Sequence, residues 1–594
     1  MAIYKAPLRD FKFVLQELFD LDQITSLPGY EEATADTFDA VLEQAGILCE
    51  EVLFPINRSG DEEGCTLENG VVRTPKGFPE AYKQFCDGGW SALSFPPEYG
   101  GQGLPHTLHF AVEEMICSAN ISFGMYPGLT GGAIGAIYMH ADESLKSKYL
   151  PKMISGEWSG TMNLTEPHCG TDLGLIRTKA LPNGDGTYAV TGTKIFISAG
   201  DQDLTDNVIH LVLAKLPDAP PGAGGISLLI VPKYLVDDET GVKTRNAVSV
   251  GSIEHKMGIR ASATCVMNYD NATGWLVGAP HKGLRAMFTM MNAARLGVGI
   301  QGLGLAETAN QSARAYANDR LAGRALTGTK YPDRPADPLT VHPDIRRMLL
   351  TIRSYVEGGR ALSMWIATEL DKAQKHPDPA VRQASDDLVA LMTPIVKAFL
   401  TDLGMEACIL GQQVFGGHGY IKEWGMEQLV RDARITPIYE GANGIQALDL
   451  VGRKLPQHMG RLLRRFFHPV SEYLQAAMEK PELAEIAMPV FKIFSRLQQI
   501  TALLAQKGMA NPDEAGAAAY DYLRLFGYVT LGYLWTRMAE AALPKVNGDD
   551  GDFYKGKVAV ARFYVQRVLP VASAHAQAIM AGADTLMALE DELV

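Results

Sequence analysis

The chain has 594 residues, more than one hydrophobic core serves, and its length is that of roughly three or four domains. Acidic residues outnumber basic ones 68 to 54, and the formal charge of -14 argues against nucleic acid or an anionic membrane as a partner. Seven scattered cysteines without a C-x-x-C pair argue against a disulfide framework or a zinc ribbon and for a reducing compartment.

The first stretch, MAIYKAPLRDFKFVLQEL, distributes its charges and has no apolar core of the kind a secretory signal needs. No run approaches the ~18 uninterrupted apolar residues of a membrane span, so a soluble cytoplasmic protein is expected. Residues 1–155 read as mainly helical, with apolar residues at three and four spacing in ADTFDAVLEQAGILCEEVLFPI and HFAVEEMICSANISF. GGWSALSFPPEYGGQGLP at 88–105 must be loop or turn. From about 160 to 280 the period shortens: YAVTGTKIFIS alternates, NVIHLVLAK and GGISLLIVPK are β-branched runs, and ATCVMNYDNATGWLVG carries turn residues at its centre. An antiparallel barrel or sandwich is predicted there.

From 283 helical texture returns, broken by LTGTKYPDRPADPLTVHP at 326–343, which is too rich in Pro, Thr and Asp for helix. Residues 456–594 read as a separate helical unit, with Ile493, Leu497, Ile500 and Leu504 on one face and 14 basic against 15 acidic residues. GVGIQG at 297–302 satisfies G-x-G-x-x-G, but a helical pattern precedes it where a dinucleotide site needs a strand, so small residues for close helix packing are the better reading. No Walker A loop, H-E-x-x-H or G-x-S-x-G is present, which leaves a metal-free enzyme with an organic cofactor open.

Three stretches carry candidate chemistry. MNLTEPHCGTDLG (162–174) packs hydroxyls, glycine and carboxylates into an irregular loop able to bind a polar cofactor edge and a phosphate. GTKIFISAG (192–200) offers Phe196 as an aromatic wall and Ser198 as a donor; each stretch alone is equally consistent with an ordinary turn and strand. RITPIYEGANGIQALDL (434–450) places Glu440 behind Ile435, Pro437, Ile438 and Tyr439, an apolar approach that raises the cost of ionisation as a general base requires.

These stretches together resemble the acyl-CoA dehydrogenase family of flavoproteins. LTEPHCGTD is similar to the first family signature, KIFIS to the strand that follows, KMGIRASAT to the run after the middle of the β region, and QVFGGHGY with RDARITPIYEG to the second signature. The resemblance covers about residues 36–455, and the first and last segments resemble the extensions of a long subgroup. It implies an α+β, acyl-CoA dehydrogenase-like fold: an N-terminal extension (1–35), an N-terminal helical domain (36–158), a middle β-barrel domain (159–280), a C-terminal four-helix bundle (281–455) and an extra C-terminal helical domain (456–594).

The resemblance also assigns roles. FAD is the implied cofactor, with Met162, Leu164 and Thr165 at the flavin ring, Thr171 at the pyrophosphate, Phe196 over the ring and Ser198 near N5. Arg320, Gln413 and Gly417 resemble residues that bind the adenine half of FAD from a neighbouring subunit, which implies a homo-oligomer, a dimer foremost. Glu440 would remove the proton next to the thioester while hydride leaves the next carbon for flavin N5, its own backbone N–H polarising the carbonyl. Ala294 stands where some relatives carry a rival base; Asn292 and Arg295 resemble positions near the base and the CoA arm.

The implied reaction is α,β-dehydrogenation of a short acyl-CoA, the 3-(methylthio)propanoyl thioester foremost, with electrons passing to an electron-transfer flavoprotein. An acyl-CoA oxidase, a general short- or medium-chain dehydrogenase and a flavin-bearing DNA-binding protein are the alternatives; the near-neutral tail counts against the last. Cys169, Phe196, Ala442, Gly444 and the insertion at 326–343 depart from the usual pattern, so the adenine end of FAD transfers least.

Overall fold

The computed structural model describes residues 2–594 and divides into two compact units, one made of the residues through Gly46 with His106–Glu114 and Val298–Val594, the other of Ile47–Pro105 and Met115–Gly297.

The second unit is built on a mixed sheet of seven strands: β3 (Trp158–Asn163), β4 (Lys179–Pro182), β5 (Tyr188–Ser198), β6 (Asn207–Lys215), β7 (Ile226–Pro232), β10 (Val248–Ile253) and β11 (Thr264–Val277). Pairing runs β11 to β5 to β4 to β6 to β7 and back to β11, which closes a five-stranded barrel; β10 adds to β11 and β3 to β6. The barrel agrees with the sequence reading, but its antiparallel character is incomplete, because β3 and β4 both pair with β6 in parallel. Two short hairpins accompany it, β1–β2 (Thr66–Glu68, Val71–Arg73) and β8–β9 (Tyr234–Val236, Lys243–Arg245). Asn69 and Gly70, at φ 53° and 76°, make the two-residue turn between β1 and β2, a hairpin inside the stretch expected to be mainly helical.

β6 and β7 are buried along almost their whole length, which is why they read as continuous apolar runs. Their alternate faces serve two cores. Ile209, Leu211, Leu213, Leu228 and Ile230 pack with Ile137, Tyr149 and Met153 of the flanking helices His106–His140 and Glu143–Ile154; Val212, Ala214, Leu229 and Val231 fill the barrel with Val190, Ile197 and Met267. β11 is one strand of 14 residues rather than two strands about a turn. Its Asp270–Asn271 pair forms a bulge opposite Thr191, with Asn271 at φ 55°, so the residues that signal a turn kink the strand instead.

The first unit is helical. The Val298–Asp319 portion of the long Gly283–Asp319 helix packs with the Pro343–Lys375 and Pro379–Val414 helices around Leu303, Ala306, Ile352, Val356 and Ala407. A Cβ at Gly299 would lie 2.8 Å from the Val396 carbonyl oxygen and one at Gly302 2.8 Å from that of Leu400, so these two glycines of GVGIQG permit close helix contact. The 326–343 segment is irregular, as expected, and is folded about Asp337. Beyond it lie the short helices Met426–Ala433 and Asn443–Asp449 and the C-terminal helices Arg461–Met478, Pro481–Ala510, Pro512–Ala542, Gly551–Phe563 and Val571–Ala581. On Pro481–Ala510 the buried stripe runs through Leu483, Val490, Phe494, Leu497, Ile500 and Leu504, with half-buried Ile493 at its margin.

Among the described residues one helix, Pro379–Val414, is long and apolar enough to cross a membrane, and 83% of its most apolar window is buried inside the protein. Its composition is that of a core helix.

Candidate active site

The candidate residues fall into two groups, one in each unit. In the barrel unit the loop after β3 is fastened to β5. Ile195 N donates to the Thr165 carbonyl at 2.9 Å, and the fully buried Lys194 ammonium donates to the Leu164 carbonyl and to Glu166 Oε1, each at 2.9 Å. Glu166 also accepts from Arg177 N at 2.7 Å, Thr178 N at 3.0 Å and Thr178 Oγ1 at 2.6 Å. Burial alone would raise this carboxyl; the Lys194 charge and these donors outweigh it and hold it below the ordinary carboxylate range. Glu166, His168 and Cys169 converge closely enough to suggest a cation site, but Glu166 is already paired with Lys194, and the group is better explained as the loop's anchor.

That anchoring places Met162, Leu164 and Thr165 half-buried at the end of β3 and leaves Thr171 exposed further along the loop. Phe196 lies in a second bulge, where Ile195 and Phe196 together oppose Val266, and its φ of 58° is a left-handed value unusual for an aromatic residue. The bulge turns its ring outward, 59% exposed between half-buried Ile195 and buried Ile197, and Ser198 sits half-buried two residues on. An exposed ring, apolar neighbours and the hydroxyls of Thr165, Thr171 and Ser198 form a donor and stacking set that fits an isoalloxazine edge and a phosphate. On the Gly283–Asp319 helix, Arg295 is buried and donates to exposed Asn292 Oδ1 at 3.3 Å.

In the helical unit Glu440 is half-buried at φ 57°, followed by Gly441 at φ 85°. Two successive left-handed residues make a tight reversal, and such a conformation in a glutamate costs about 1–3 kcal/mol that the surroundings must offset. They do so from both sides. Asn443 N donates to the Pro437 carbonyl at 3.0 Å, and Gln446 Nε2 donates to the carbonyls of Glu440 at 3.1 Å and Gly441 at 3.3 Å. Tyr439 OH donates to Gln301 Oε1. The approach to Glu440 is less dry than its composition suggests: Ile438 is 49% exposed and Ile435, Pro437 and Tyr439 are half-buried.

Arg320, at the end of the Gly283–Asp319 helix, and Gln413 and Gly417 are exposed. Tyr316, one turn before Arg320, stacks on Phe415 at 4.1 Å and hydrogen-bonds His418 Nδ1 at 2.8 Å, which brings the two segments together. The Lys194–Glu166 pair, the grip of Gln446 on the Glu440 loop and the left-handed Phe196 were absent from the sequence reading. A lysine at an inward position of an alternating strand was the available signal for the first.

The matches to known proteins agree with this architecture. Profiles of the acyl-CoA dehydrogenase N-terminal, middle and C-terminal domains match residues 43–157, 161–272 and 281–455, and that of the acetyl-CoA dehydrogenase C-terminal-like domain matches 466–590. A 3-methylmercaptopropionyl-CoA dehydrogenase of Ruegeria pomeroyi is 44% identical over 98% of this chain and 99% of its own. A butyryl-CoA dehydrogenase of Syntrophomonas wolfei is 35% identical over 96% of this chain and 95% of its own. Among solved structures, an acyl-CoA dehydrogenase complexed with FAD from Bacillus anthracis has a TM-score of 0.75 at 22% identity, covering 97% of this chain and 93% of its own. The butyryl-CoA dehydrogenase of Megasphaera elsdenii has a TM-score of 0.58 at 26% identity, covering 70% and 98%. The chain belongs to the acyl-CoA dehydrogenase family. It is an FAD-dependent oxidoreductase with acyl-CoA dehydrogenase activity, and its fold carries the family's three domains and an additional C-terminal one.

Proposed function

We propose that this enzyme desaturates 3-(methylthio)propanoyl-CoA to 3-methylthioacryloyl-CoA in the breakdown of dimethylsulfoniopropionate, with Glu440 as the base. The carrying observation is Glu440 itself, a carboxylate held in a left-handed turn by hydrogen bonds to its own and neighbouring carbonyls. The methylthio substrate is favoured because the 44% identity to the Ruegeria enzyme runs through the extra C-terminal domain as well. Bound FAD supplies the acceptor for the hydride lost from the β carbon.

The remaining chemistry belongs to side chains. Glu440 takes the α-proton, and the fixed loop limits the carboxylate's search for that proton, which is how positioning lowers a barrier. Thr165, Thr171, Phe196 and Ser198, with Met162 and Leu164, hold the flavin and pyrophosphate; Asn292 and Arg295 serve the thioester side. Arg320, Gln413 and Gly417, exposed together, hold the adenine half of the cofactor of a second copy in a homodimer. An electron-transfer flavoprotein accepts the electrons.

A methylthio group and an ethyl group are close in shape, and a methylene-sized difference in an apolar pocket is worth only ~1–3 kcal/mol. Comparing kcat/KM for methylthiopropanoyl-, butyryl-, hexanoyl- and octanoyl-CoA tests the substrate. The reading requires the methylthio thioester to lead; a clear preference for butyryl-CoA or longer chains overturns it in favour of a general short- or medium-chain enzyme.

A further inference from the structure

The helices beyond residue 456 have no role in the chemistry so far derived, yet one of them is linked by hydrogen bonds to the loop of the base. The link begins at Asn443, three residues after Glu440 and 5% exposed. Its Nδ2 donates to Asp402 Oδ1 at 2.7 Å and to the Ala398 carbonyl at 3.1 Å, and its Oδ1 accepts from the fully buried Lys397 ammonium at 2.8 Å. The backbone N–H of the same residue closes the Glu440 loop on the Pro437 carbonyl. Movement of Asn443 therefore moves the loop.

Asp402 faces two ways. While Oδ1 takes the Asn443 amide, Oδ2 accepts from Tyr520 OH at 2.7 Å and from Arg524 Nη1 at 3.3 Å, both on the Pro512–Ala542 helix. Arg524 is fixed in turn by donating to Tyr528 OH at 2.8 Å, with its guanidinium 5.4 Å from the Phe399 ring centroid. A carboxylate on the Pro379–Val414 helix thus joins a C-terminal helix to the residue that closes the base loop. An amide needs no charged partner to pack there, and a half-buried aspartate between two helices gives up part of its hydration, which specific pairing offsets.

We propose that Tyr520, Arg524 and Asp402 are positioning residues that set Glu440 through Asn443, and that the Pro512–Ala542 helix thereby acts on catalysis. The proposal rests on Glu440 being the base. It makes the C-terminal domain part of the working enzyme rather than a covering for the bundle.

The test is anaerobic stopped-flow reduction of the full-length, FAD-loaded protein by 3-(methylthio)propanoyl-CoA across substrate concentrations, for Tyr520→Phe, Asp402→Asn, Asn443→Ala, the Tyr520→Phe/Asn443→Ala pair and Glu440→Gln. A base displaced by about 1 Å loses up to about 100-fold in rate. The expected result is a limiting rate about threefold lower for Tyr520→Phe and roughly tenfold lower for Asn443→Ala, with half-saturating substrate within about twofold of wild type. The double variant should be no slower than Asn443→Ala alone, because both act along one path.

If Glu440→Gln is inactive while Tyr520→Phe and Asp402→Asn keep the wild-type rate, or if the two losses multiply, the positioning role is wrong and the base assignment stands. If Glu440→Gln reduces at the wild-type rate, both fail together. Should Asn443→Ala not fold, Tyr520→Phe, which changes a side chain on a residue 43% exposed, still decides the matter.

Discussion

Lys194 Nζ lies 2.9 Å from Glu166 Oε1, an ion pair with side chains 0% and 3% exposed that ties β5 to the loop of the first family signature. Removing one member of a buried pair leaves the other charged and unpaired, at a cost of about 3–5 kcal/mol. Lys194→Met should therefore lower the unfolding free energy by about that amount and weaken flavin retention, since Leu164 and Thr165 are fastened through the same strand. Denaturant titration and gel filtration of the yellow protein measure both. A variant with wild-type stability and full flavin content would show that the loop is held elsewhere.

Arg360 sits among carboxylates in the helical unit, 1% exposed and paired with Asp10, Glu114 and Glu307. Lys557 pairs with Asp10 and Glu357, and Arg353 with Glu357. Burial pushes the Glu114 carboxyl up to about 7 against the pull of Arg360, and the neighbouring Glu307 and Asp10 charges add to the rise. A folded value above the ordinary 4.5 means that the native state holds the extra proton between those two pH values. Its contribution to stability is complete below 4.5, shrinks as pH rises to about 7 and is flat beyond. Comparing wild type with Glu114→Gln at pH 5 and pH 8 should show a smaller loss of stability in the variant; equal losses would remove Glu114 as the source.

The same cluster makes Arg360→Leu severe, because three acidic groups lose their shared partner. About 3–5 kcal/mol is expected, with the N-terminal segment that carries Asp10 released first. Urea denaturation and proteolysis near residue 10 are the measurements.

Asp337 is buried and accepts from the backbone N–H groups of Ala325 at 2.9 Å, Tyr331 at 2.9 Å and Lys330 at 3.2 Å, with Arg324 Nη1 at 3.3 Å. These donors hold the carboxyl down to about 2 although burial opposes them. Its stabilising effect is present above the ordinary 3.8 and is lost as pH falls from there to about 2. Arg320 adjoins this loop, its carbonyl accepting from Leu339 N at 2.9 Å. Asp337→Ala should speed proteolytic cleavage between residues 324 and 338 and raise the FAD dissociation constant. Unchanged cleavage would mean that the prolines alone set the loop.

What the chain's periodicity revealed was the order of helical and β regions, because that depends on local patterns of burial; it left barrel and sandwich both open, and only the family resemblance pointed to the barrel. The parallel pairing of β3 and β4 with β6 was hidden, since register between distant strands is decided by packing. Asp270–Asn271 signalled a turn and produced a bulge, as β5 continues past it; Asn69–Gly70 was a hairpin signal in plain view. At the site, Glu440, Thr165 and Phe196 were legible as residue types in a family motif. The outward turn of Phe196 was not, because it comes from an unequal count of residues across two strands. Neither was the Asp10–Arg360–Lys557 cluster, whose members are separated by hundreds of residues.

Removal of the α-proton by Glu440 is measured by anaerobic bleaching of the flavin band with 3-(methylthio)propanoyl-CoA in wild type and Glu440→Gln. Wild type should bleach, and the variant, yellow and folded, should be slowed by about 10²–10⁴-fold, the usual contribution of a positioned base. A Glu440→Gln protein that bleaches at the wild-type rate would contradict that role.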